Sequence, residues 1–355
     1  MIMMELVVGL VGAVALDAEA LVDALAGVQS KAFSIKDFRI FAGRVHVGKR
    51  IYLGQERIAV EEISLKRMTS CDVLYVSSEV SLSVEKMTSL HEAGVVTVFL
   101  APRVEPELSA PKVLAEIHSG PLAVKKWLKE PSIALPSGAM ALAALALAPI
   151  AQKFGLKRIA VTALVSASDF GRAGLDLLQE ESQAFFQVQD LSSRSSALLP
   201  RSLAFNTMPF EEEESAVERM ALELIQVLGL ESVKVDVTPI RIPVFVGDAG
   251  GIVFETEQSA TLEEIREALH AAEWLSVDGV SAKGDLNGAC SPREMHGKDV
   301  VRVTHLRESA LFKNGRSIWI AGDNLRRGVA LSAVALLGNL VRNDIIKALR
   351  ACKPA

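Results

Sequence analysis

A turn of small residues leads into a long uncharged stretch of the chain. The stretch ALPSGAMALAALALAPIA occupies residues 134–151, and its turn reads Pro136-Ser137-Gly138-Ala139. Enzymes often present a nucleophile in such a turn, because the backbone amides at a helix N-terminus favour an anion. Ser137 is the nucleophilic side chain here, but a serine needs a base within reach. We therefore interpret Ser137 as the N-cap of the following helix.

The thiols and imidazoles are scattered along the sequence. The cysteines, Cys71, Cys290 and Cys352, are odd in number and far apart, which argues against a disulfide framework and fits a reducing cytoplasm. Their spacing predicts no metal site, and Cys290, in the turn GACSPRE, is interpreted as an ordinary free thiol. No spacing gathers the six histidines, which we interpret as structural or solvated. Those weighed as candidates are His118 and His296 in predicted loops and His305 in a predicted strand.

A glycine-rich turn follows the first predicted strand. In ELVVGLVGAVA, Gly9, Gly12 and Ala15 have the spacing of a dinucleotide-binding turn, in which glycines let a phosphate approach the backbone and a small third residue lets the helix pack closely. The acidic residue expected about 20 residues later for a ribose hydroxyl is not evident. Basic residues there favour NADP over NAD, although the turn could also have stopped holding a dinucleotide. These residues are Arg39, Arg44, Lys49 and Arg50.

Length and composition limit the class of protein. A chain of 355 residues is too long for one ordinary core, so we expect two domains. Half of the residues are hydrophobic and 23% are charged, as in globular proteins. The net charge of -5, without long basic runs among aromatic residues, argues against nucleic acid as a partner.

Two apolar segments resemble membrane signals but are interpreted otherwise. The start of the chain has no basic region and carries Glu5, so we expect no signal peptide. Residues 134–151 approach the roughly 20 residues of a transmembrane helix. However, they are rich in alanine, lie in mid-chain and are bracketed by Pro136 and Pro149. We predict a buried core helix, no membrane contact and a cytoplasmic protein.

Short apolar runs alternate with helical stretches through the first third of the chain, which predicts a parallel, doubly wound sheet. The predicted strands there are 5–8, 72–76 and 94–100, and the predicted helices are 13–25 and 84–93. The pattern beyond Pro136 is typical of an α+β domain. Its predicted strands are 158–165 and 233–246, and its predicted helices are 171–186 and 215–228. From Asp323, a candidate N-cap, the pattern predicts a helix of about seven turns that packs on the first domain.

Four separated segments together resemble the aspartate-semialdehyde dehydrogenase family. They are the first strand with its glycine turn, GRAGLDLLQEESQAFF, RIPVFVGDAGGIVFE and the closing DNLRRGVALSAV. More narrowly, RIAVTALVSASDFGRAG, LAFNTMPF and SAVER are similar to the Usg-type paralogues of that family. The segment SPREMHGKDVVRVTHLR matches the family's late turn and strand, so the likeness runs nearly from end to end.

The resemblance implies an α/β fold with two domains. Residues 1–136 and 323–355 would form a Rossmann-type, doubly wound NAD(P)-binding domain. Residues 137–322 would form an α+β dimerisation domain with a mixed sheet, like the C-terminal domain of glyceraldehyde-3-phosphate dehydrogenase. The resemblance also implies a homodimer in amino-acid biosynthesis with NADP as cofactor. The cofactor residues carried over are Gly9, Gly12, Ala15, Arg44, Asp323, Asn324 and Gly328.

The sequence departs from the family at the catalytic centre. In the family a cysteine in an Asn-Pro-x-Cys turn attacks the aldehyde and a hydride passes to NADP, but here Gly138 stands at the cysteine position. The family's base ends the pattern Arg-x-Pro-Val-x-x-Gly-His, and here Asp248 replaces that histidine while Arg241, the anchor for a substrate carboxylate, is kept. Val165 replaces a glutamine. The lysine of the family's phosphate element has no counterpart near residues 213–217.

Two further positions qualify the inherited site. Asp323, Asn324 and Gly328 match the family's element beside the nicotinamide, but helix capping explains Asp323 equally well, and Ser332 replaces the asparagine that usually follows. Asp248 would be a poor base for Ser137 unless burial raised its pKa.

The loss of a covalent nucleophile can cost on the order of a millionfold in rate, and the loss of a base roughly a hundred- to ten-thousandfold. We therefore predict that the family's reductive dephosphorylation is lost. Three functions stay open. The chain is a non-catalytic paralogue that retains NADP or a small acidic metabolite near Arg241, an NADP-dependent oxidoreductase that handles an aldehyde without a thioester, or a non-catalytic subunit that modulates a true dehydrogenase. Pairing of Asp248 with Arg241 would neutralise the carboxylate anchor.

Overall fold

The computed structural model describes residues 3–28, 30, 32–103, 110–118, 131–188, 196, 198–210, 214–277 and 290–351. The chain divides into two compact units. The first unit comprises Met1–Ser137 with Val329–Ala355, and the second comprises Gly138–Gly328.

The described helices and strands alternate along most of the chain. The helices are α1 (Leu16–Ala26), α2 (Leu65–Met68), α3 (Val84–Glu92), α4 (Gly138–Phe154), α5 (Gly171–Phe186), α6 (Glu214–Leu228), α7 (Leu262–His270), α8 (Pro292–Met295), α9 (Leu331–Arg342) and α10 (Ile345–Ala351). The strands are β1 (Met4–Val11), β2 (Phe33–Ala42), β3 (Arg50–Leu53), β4 (Glu56–Glu62), β5 (Val73–Val76), β6 (Val96–Phe99), β7 (Ser132–Ala134), β8 (Leu156–Val165), β9 (Met208–Pro209), β10 (Lys234–Arg241), β11 (Asp248–Thr256), β12 (Leu275–Val277), β13 (Val301–Glu308) and β14 (Gly315–Gly322).

The first unit is built on a sheet with the strand order β3-β4-β2-β1-β5-β6-β7. In this order, each neighbouring pair from β4 through β2, β1, β5 and β6 to β7 is parallel. The edge pair of β3 and β4 is antiparallel. Strands β5 and β6 are buried along their whole length, as strands covered on both faces require. The predicted Rossmann-type, doubly wound sheet is confirmed.

The second unit is built on a mixed sheet with the order β12-β13-β14-β11-β8-β10-β9. Strand β8 pairs in parallel with β10 and antiparallel with β11. Along β8 the buried side chains alternate, at Ile159, Val161, Ala163 and Val165, so one face of the sheet meets the core. The predicted α+β architecture is confirmed. The prediction of one strand over 233–246 was too long, because β10 ends at Arg241.

The apolar segment predicted as a core helix is α4. Its side chains from Ala139 to Ala148 are buried, and it packs on β8 and β11 within the second unit, so the core-helix prediction is confirmed. Among the described residues, no single helix is long and apolar enough to cross a membrane, and one bent pair, Arg326–Arg342 with Ile345–Ala351, meets those criteria by length and composition alone.

Pro149 lies inside α4 instead of bounding it as expected. A proline in this position leaves the carbonyl four residues earlier without its helical donor. That carbonyl belongs to Leu145, and the indole N–H of Trp274 donates to it at 3.0 Å. The side chain of Trp274, the residue directly before β12, therefore supplies the hydrogen bond that the proline removes, and the helix continues to Phe154.

The closing segment is not the single helix of about seven turns that the sequence predicts. It starts as a π-helical turn at Arg326–Ala330 and continues as α9, and α10 follows after a bend of 61°. The break falls at Asp344, whose φ of 56° is left-handed and cannot continue a right-handed helix. Both α9 and α10 belong to the first unit, where α9 packs on α1.

The hydrogen bond from Trp274 to Leu145 gives a test of the core. We expect Trp274→Phe to lower the free energy of unfolding by about 1–3 kcal/mol, because it leaves a buried carbonyl without a donor. In a Pro149→Ala background, where the helix supplies its own donor, the same change should cost clearly less. Urea unfolding of the four proteins measures this coupling, and equal costs in both backgrounds would contradict the assignment.

Candidate functional site

Gly138, the first residue of α4, is packed directly against the segment that follows β14. A Cβ atom added at Gly138 would lie 2.7 Å from the carbonyl oxygen of Asn324 and 2.8 Å from its Cβ. Gly328 approaches from the same segment, since its own Cβ would lie 3.0 Å from the Cα of Gly138. Real Cβ atoms do not come this close to backbone. The position predicted for a lost nucleophile therefore has no room for any side chain.

Four buried side chains form a hydrogen-bonded chain beside this contact; we call Asn324, Ser168, Ser166 and Asp248 the polar chain. The amide of Asn324 donates to Ser168 Oγ at 2.9 Å, and the two serine hydroxyls lie 2.9 Å apart. Ser166 then donates both its hydroxyl, at 2.8 Å, and its backbone N–H, at 2.9 Å, to Oδ1 of Asp248. Asn324 Oδ1 accepts from the N–H of Gly247 at 2.9 Å. The donors are thus directed towards one carboxylate oxygen.

Burial changes the acid–base behaviour of Asp248. The pKa of this carboxyl is raised to about 7, mainly by desolvation; the hydrogen bonds from Ser166 oppose the shift, and the nearby carboxylates of Asp169 and Asp323 contribute to it. From the sequence, Asp248 could act as a base only if burial raised its pKa. This condition is met. Its Oδ1 is nevertheless engaged by Ser166, and no nucleophile stands at position 138.

Arg241, the predicted anchor for a substrate carboxylate, is buried at the end of β10. Its guanidinium lies between the rings of Phe170 and Phe210, with its carbon 3.9 and 3.8 Å from the two centroids. Its Nη1 donates to Oδ2 of Asp169 at 3.2 Å. Asp248 is bonded to Ser166 instead, so within the described residues Arg241 and Asp248 do not pair. The carboxylate that Arg241 holds is one of the chain's own.

Asp323 fixes the segment that fills the space at Gly138. Its Oδ1 accepts from the N–H groups of Leu325 and Arg326 at 3.0 and 2.8 Å, which is the bonding of a helix cap. Its Oδ2 accepts from the N–H of Gly297 at 2.7 Å and lies 3.2 Å from the ring of His296. Asp323 therefore joins two turns of the second unit, a structural use of the residue that matches the family's nicotinamide element.

The other predicted residues do not join the polar chain. Val165 is buried as the last residue of β8, directly before Ser166.

The histidines and cysteines lie elsewhere. His118 contacts Leu114, and burial lowers the pKa of His118. His305 contacts Thr304. Cys71 and Cys290 are buried, whereas Cys352 and Glu213 lie outside the described residues. In the first unit, Ser332 donates to Glu116. The described residues contain no group of three or more side chains arranged to hold a metal ion.

The glycine turn follows β1 as the sequence predicts, but its surroundings differ from a phosphate cradle. Gly9 lies inside β1, and Gly12 has a φ of 96°, which favours glycine. A Cβ at Gly12 would lie 2.2 Å from Ser77 Oγ, so Gly12 lets the loop after β5 pack directly on the turn. Ala15 is the N-cap residue of α1.

The charges near this turn also oppose a dinucleotide. Arg44, the residue predicted to hold a 2′-phosphate, is exposed and donates to Glu62 at 2.7 Å. Asp17, two residues after Ala15, is a buried carboxylate in the first turn of α1. Asp17 was not among the site residues expected from the sequence, although its place in the first turn of a predicted helix was readable. The residues present therefore do not fit the diphosphate of NADP.

Comparison with known proteins identifies relatives over nearly the whole chain. The family model for the semialdehyde dehydrogenase dimerisation domain matches residues 147–327, just over half of the chain. An aspartate-semialdehyde dehydrogenase of Rickettsia bellii is 27% identical over 325 residues, 87% of this chain and 91% of that protein. The enzyme of the same name from Aquifex aeolicus is 27% identical over 328 residues, 90% of this chain and 94% of that protein.

Solved structures share the fold. The crystal structure of aspartate semialdehyde dehydrogenase II from Vibrio cholerae superposes with a TM-score of 0.83 at 24% identity, covering 95% of this chain and 99% of that one. Aspartate semialdehyde dehydrogenase with NADP from Candida albicans gives a TM-score of 0.69 at 16% identity, covering 97% and 100%. Identities this low show the two-domain fold and nothing finer.

The packing at Gly138 gives a prediction of stability. Alanine in the first turn of a helix normally stabilises, by about 0.4–1 kcal/mol relative to glycine. We expect Gly138→Ala instead to lower the free energy of unfolding by about 2 kcal/mol or more, because its Cβ meets the Asn324 backbone. Gly43, which has no atom within 4 Å of a Cβ and a φ of −62°, provides the matched control. Equal stability of the Gly138→Ala and Gly43→Ala variants in urea would contradict the close contact.

The raised pKa of Asp248 gives a prediction of pH dependence. The carboxyl binds its proton more tightly in the folded protein, with a pKa of about 7 against 3.8 unperturbed, so its contribution to stability is lost as pH rises through this window. Asp248→Asn lacks this contribution. The variant should therefore gain stability relative to the natural chain between pH 5 and pH 8, by on the order of 2–4 kcal/mol.

Urea unfolding at both pH values measures that gain. Burial also raises the pKa of Asp17, to about 6. Asp17 is present in both proteins, so its effect on stability cancels in the difference. A constant difference between the two proteins across the range would show that Asp248 is ionised at both pH values.

Proposed function

The chain belongs to the aspartate-semialdehyde dehydrogenase family, and from this premise we propose that it is a dimer-forming member that has lost the covalent chemistry, as in the Usg-type paralogues that it resembles. On this proposal it forms no thioester, releases no acyl phosphate and acts by association instead of turnover. The chain's partner would be a second copy of itself.

The observation that carries the proposal is the contact between Gly138 and Asn324. An acyl-enzyme needs a nucleophilic side chain at a helix N-terminus, where the helix lowers its pKa. Gly138 holds that place, and the space for a Cβ is taken by Asn324, whose carbonyl oxygen and Cβ would lie 2.7 and 2.8 Å away. The loss is thus more than a missing sulfur atom, because the neighbouring segment occupies the position of the missing side chain.

The base position supports the same proposal. Asp248 has a pKa near neutrality, but its Oδ1 accepts two hydrogen bonds from Ser166. A base needs a nucleophile or a water to deprotonate, and the nearest partners of Asp248 are the hydroxyls of the polar chain. Removing a nucleophile and its base is non-additive, so either change alone suffices to silence the reaction.

A sheet face of the second unit that no described residue covers supports dimer formation. Opposite the face that packs on α4, a hollow of about 530 Å³ is lined by residues of β8, β11, β13 and β14, including Thr162, Val253 and Trp319. The matched family model is that of a dimerisation domain and spans these strands. The same match favours a second candidate function, a non-catalytic subunit that pairs with an active dehydrogenase and changes its rate.

Turnover assays test the proposal. With aspartate semialdehyde, phosphate and NADP, the purified chain should form NADPH at least about 10⁴-fold more slowly than an active family enzyme assayed alongside. The Gly138→Cys/Asp248→His variant should stay equally silent, because Asn324 fills the space that the cysteine needs. Ordinary turnover by the natural chain would end the proposal, whereas turnover by the double variant alone would contradict the claim that Asn324 closes the space at position 138. In a second arm, a changed rate of the active enzyme after mixing would favour the modulating subunit.

A further inference from the structure

The first turn of α1 has the geometry that Rossmann-type folds use to hold an anion. The turn follows the central strand β1, and its N–H groups precede the hydrogen-bonding ladder of the helix. The macrodipole of a helix adds about half a positive charge at this end. In dinucleotide-binding proteins of this fold, the diphosphate is bound at this helix terminus.

In this chain an internal carboxylate already lies there. Asp17, the second residue of α1, is 4% exposed. Its Oδ1 accepts from the N–H of Ala18 in the same turn at 2.9 Å, and its Oδ2 accepts from the N–H of Ser78, in the loop after β5, at 2.6 Å. Two backbone donors at the end of the central strands, where a phosphate would be received, are thus used by the protein itself.

The space beside the turn is filled as well. The side chains of Ser77 and Val80 come within 2.2 and 2.8 Å of where a Cβ of Gly12 would lie. Gly12 therefore lets the loop after β5 pack closely on the turn. Because Ser78 of this loop donates to Asp17, the carboxylate and the close packing form one arrangement.

We propose that Asp17 is an internal anion that takes the place of a ligand phosphate at the N-terminus of α1, and that it sharply lowers the affinity of this chain for dinucleotides. A diphosphate bound at this helix end would bring two negative charges within a few ångströms of a buried one, where repulsion is weakly screened. Glu79 adds a further negative charge on the same loop. The inference concerns the first unit alone and does not depend on the proposed loss of catalysis.

Calorimetric titration with NADP at pH 8 and low ionic strength tests this inference. Asp17→Asn keeps an oxygen for Ser78 but removes the charge, and we expect it to tighten NADP binding by at least about tenfold. The exposed Glu79→Gln should tighten binding by about twofold, since that charge is solvated. Asp23→Asn, on the same helix but near its C-terminal end, is the matched control and should bind like the natural chain.

The outcomes separate clearly. Tightening by Asp17→Asn with an unchanged Asp23→Asn supports the internal anion. Unchanged affinity in Asp17→Asn, including no measurable heat in any variant, overturns the assignment of Asp17 as the group that sets affinity. If the melting temperature shows that Asp17→Asn does not fold, the Glu79→Gln variant decides. Its twofold gain in NADP affinity must then disappear at high salt. No gain in affinity counts against the proposal. NADPH formation is not a readout here, so a failed turnover assay leaves this result independent.

Discussion

The close contact between the start of α4 and the backbone of Asn324 constrains the rest of the second unit. A Cβ at position 138 would meet Asn324 at 2.7 Å, and a Cβ at position 328 would lie 3.0 Å from the Cα of Gly138, so both positions favour glycine. The contact is held from both sides. Asp323 caps the turn that contains Asn324, and the side chain of Asn324 bonds to Ser168 and to the N–H of Gly247. Asn324 thus takes part both in the contact with α4 and in the polar chain.

The chain uses its own carboxylates where a metabolic enzyme would expose cationic groups to a ligand. Asp169 meets the guanidinium of Arg241, Asp323 caps a helical turn, and in the first unit Asp17 meets the N-terminal turn of α1. Buried donors that await a ligand carry a desolvation cost until the ligand arrives. Here that cost is offset permanently, inside the folded protein. On the two proposals above, this internal pairing opposes the binding of anions from solution at Arg241 and at the start of α1.

The architecture was readable from the sequence because it depends on local patterns. Apolar runs gave the buried strands β5 and β6, and alternation gave β8. Features set by contacts between distant residues were not readable. The fit of Asn324 against Gly138 joins positions 186 residues apart, and the continuation of α4 through Pro149 depends on Trp274. The break at Asp344 was readable but was not predicted. Asparagine and aspartate tolerate left-handed backbone, so the pair at 343–344 is a signal of a helix end.

The positions Gly138 and Asp248 could be read as losses from the sequence, but their consequence depends on packing. A catalytic site keeps reactive groups strained or unpaired, and relaxing it usually gains stability. Once Asn324 fills the nucleophile position, a cysteine restored there would displace backbone, and a histidine restored at 248 would break two hydrogen bonds to Ser166. Each single reversal is therefore unfavourable without the other and without a shift of the 323–328 segment. The proposed loss of catalysis would leave the sheet face of the second unit as a surface for contacts with protein.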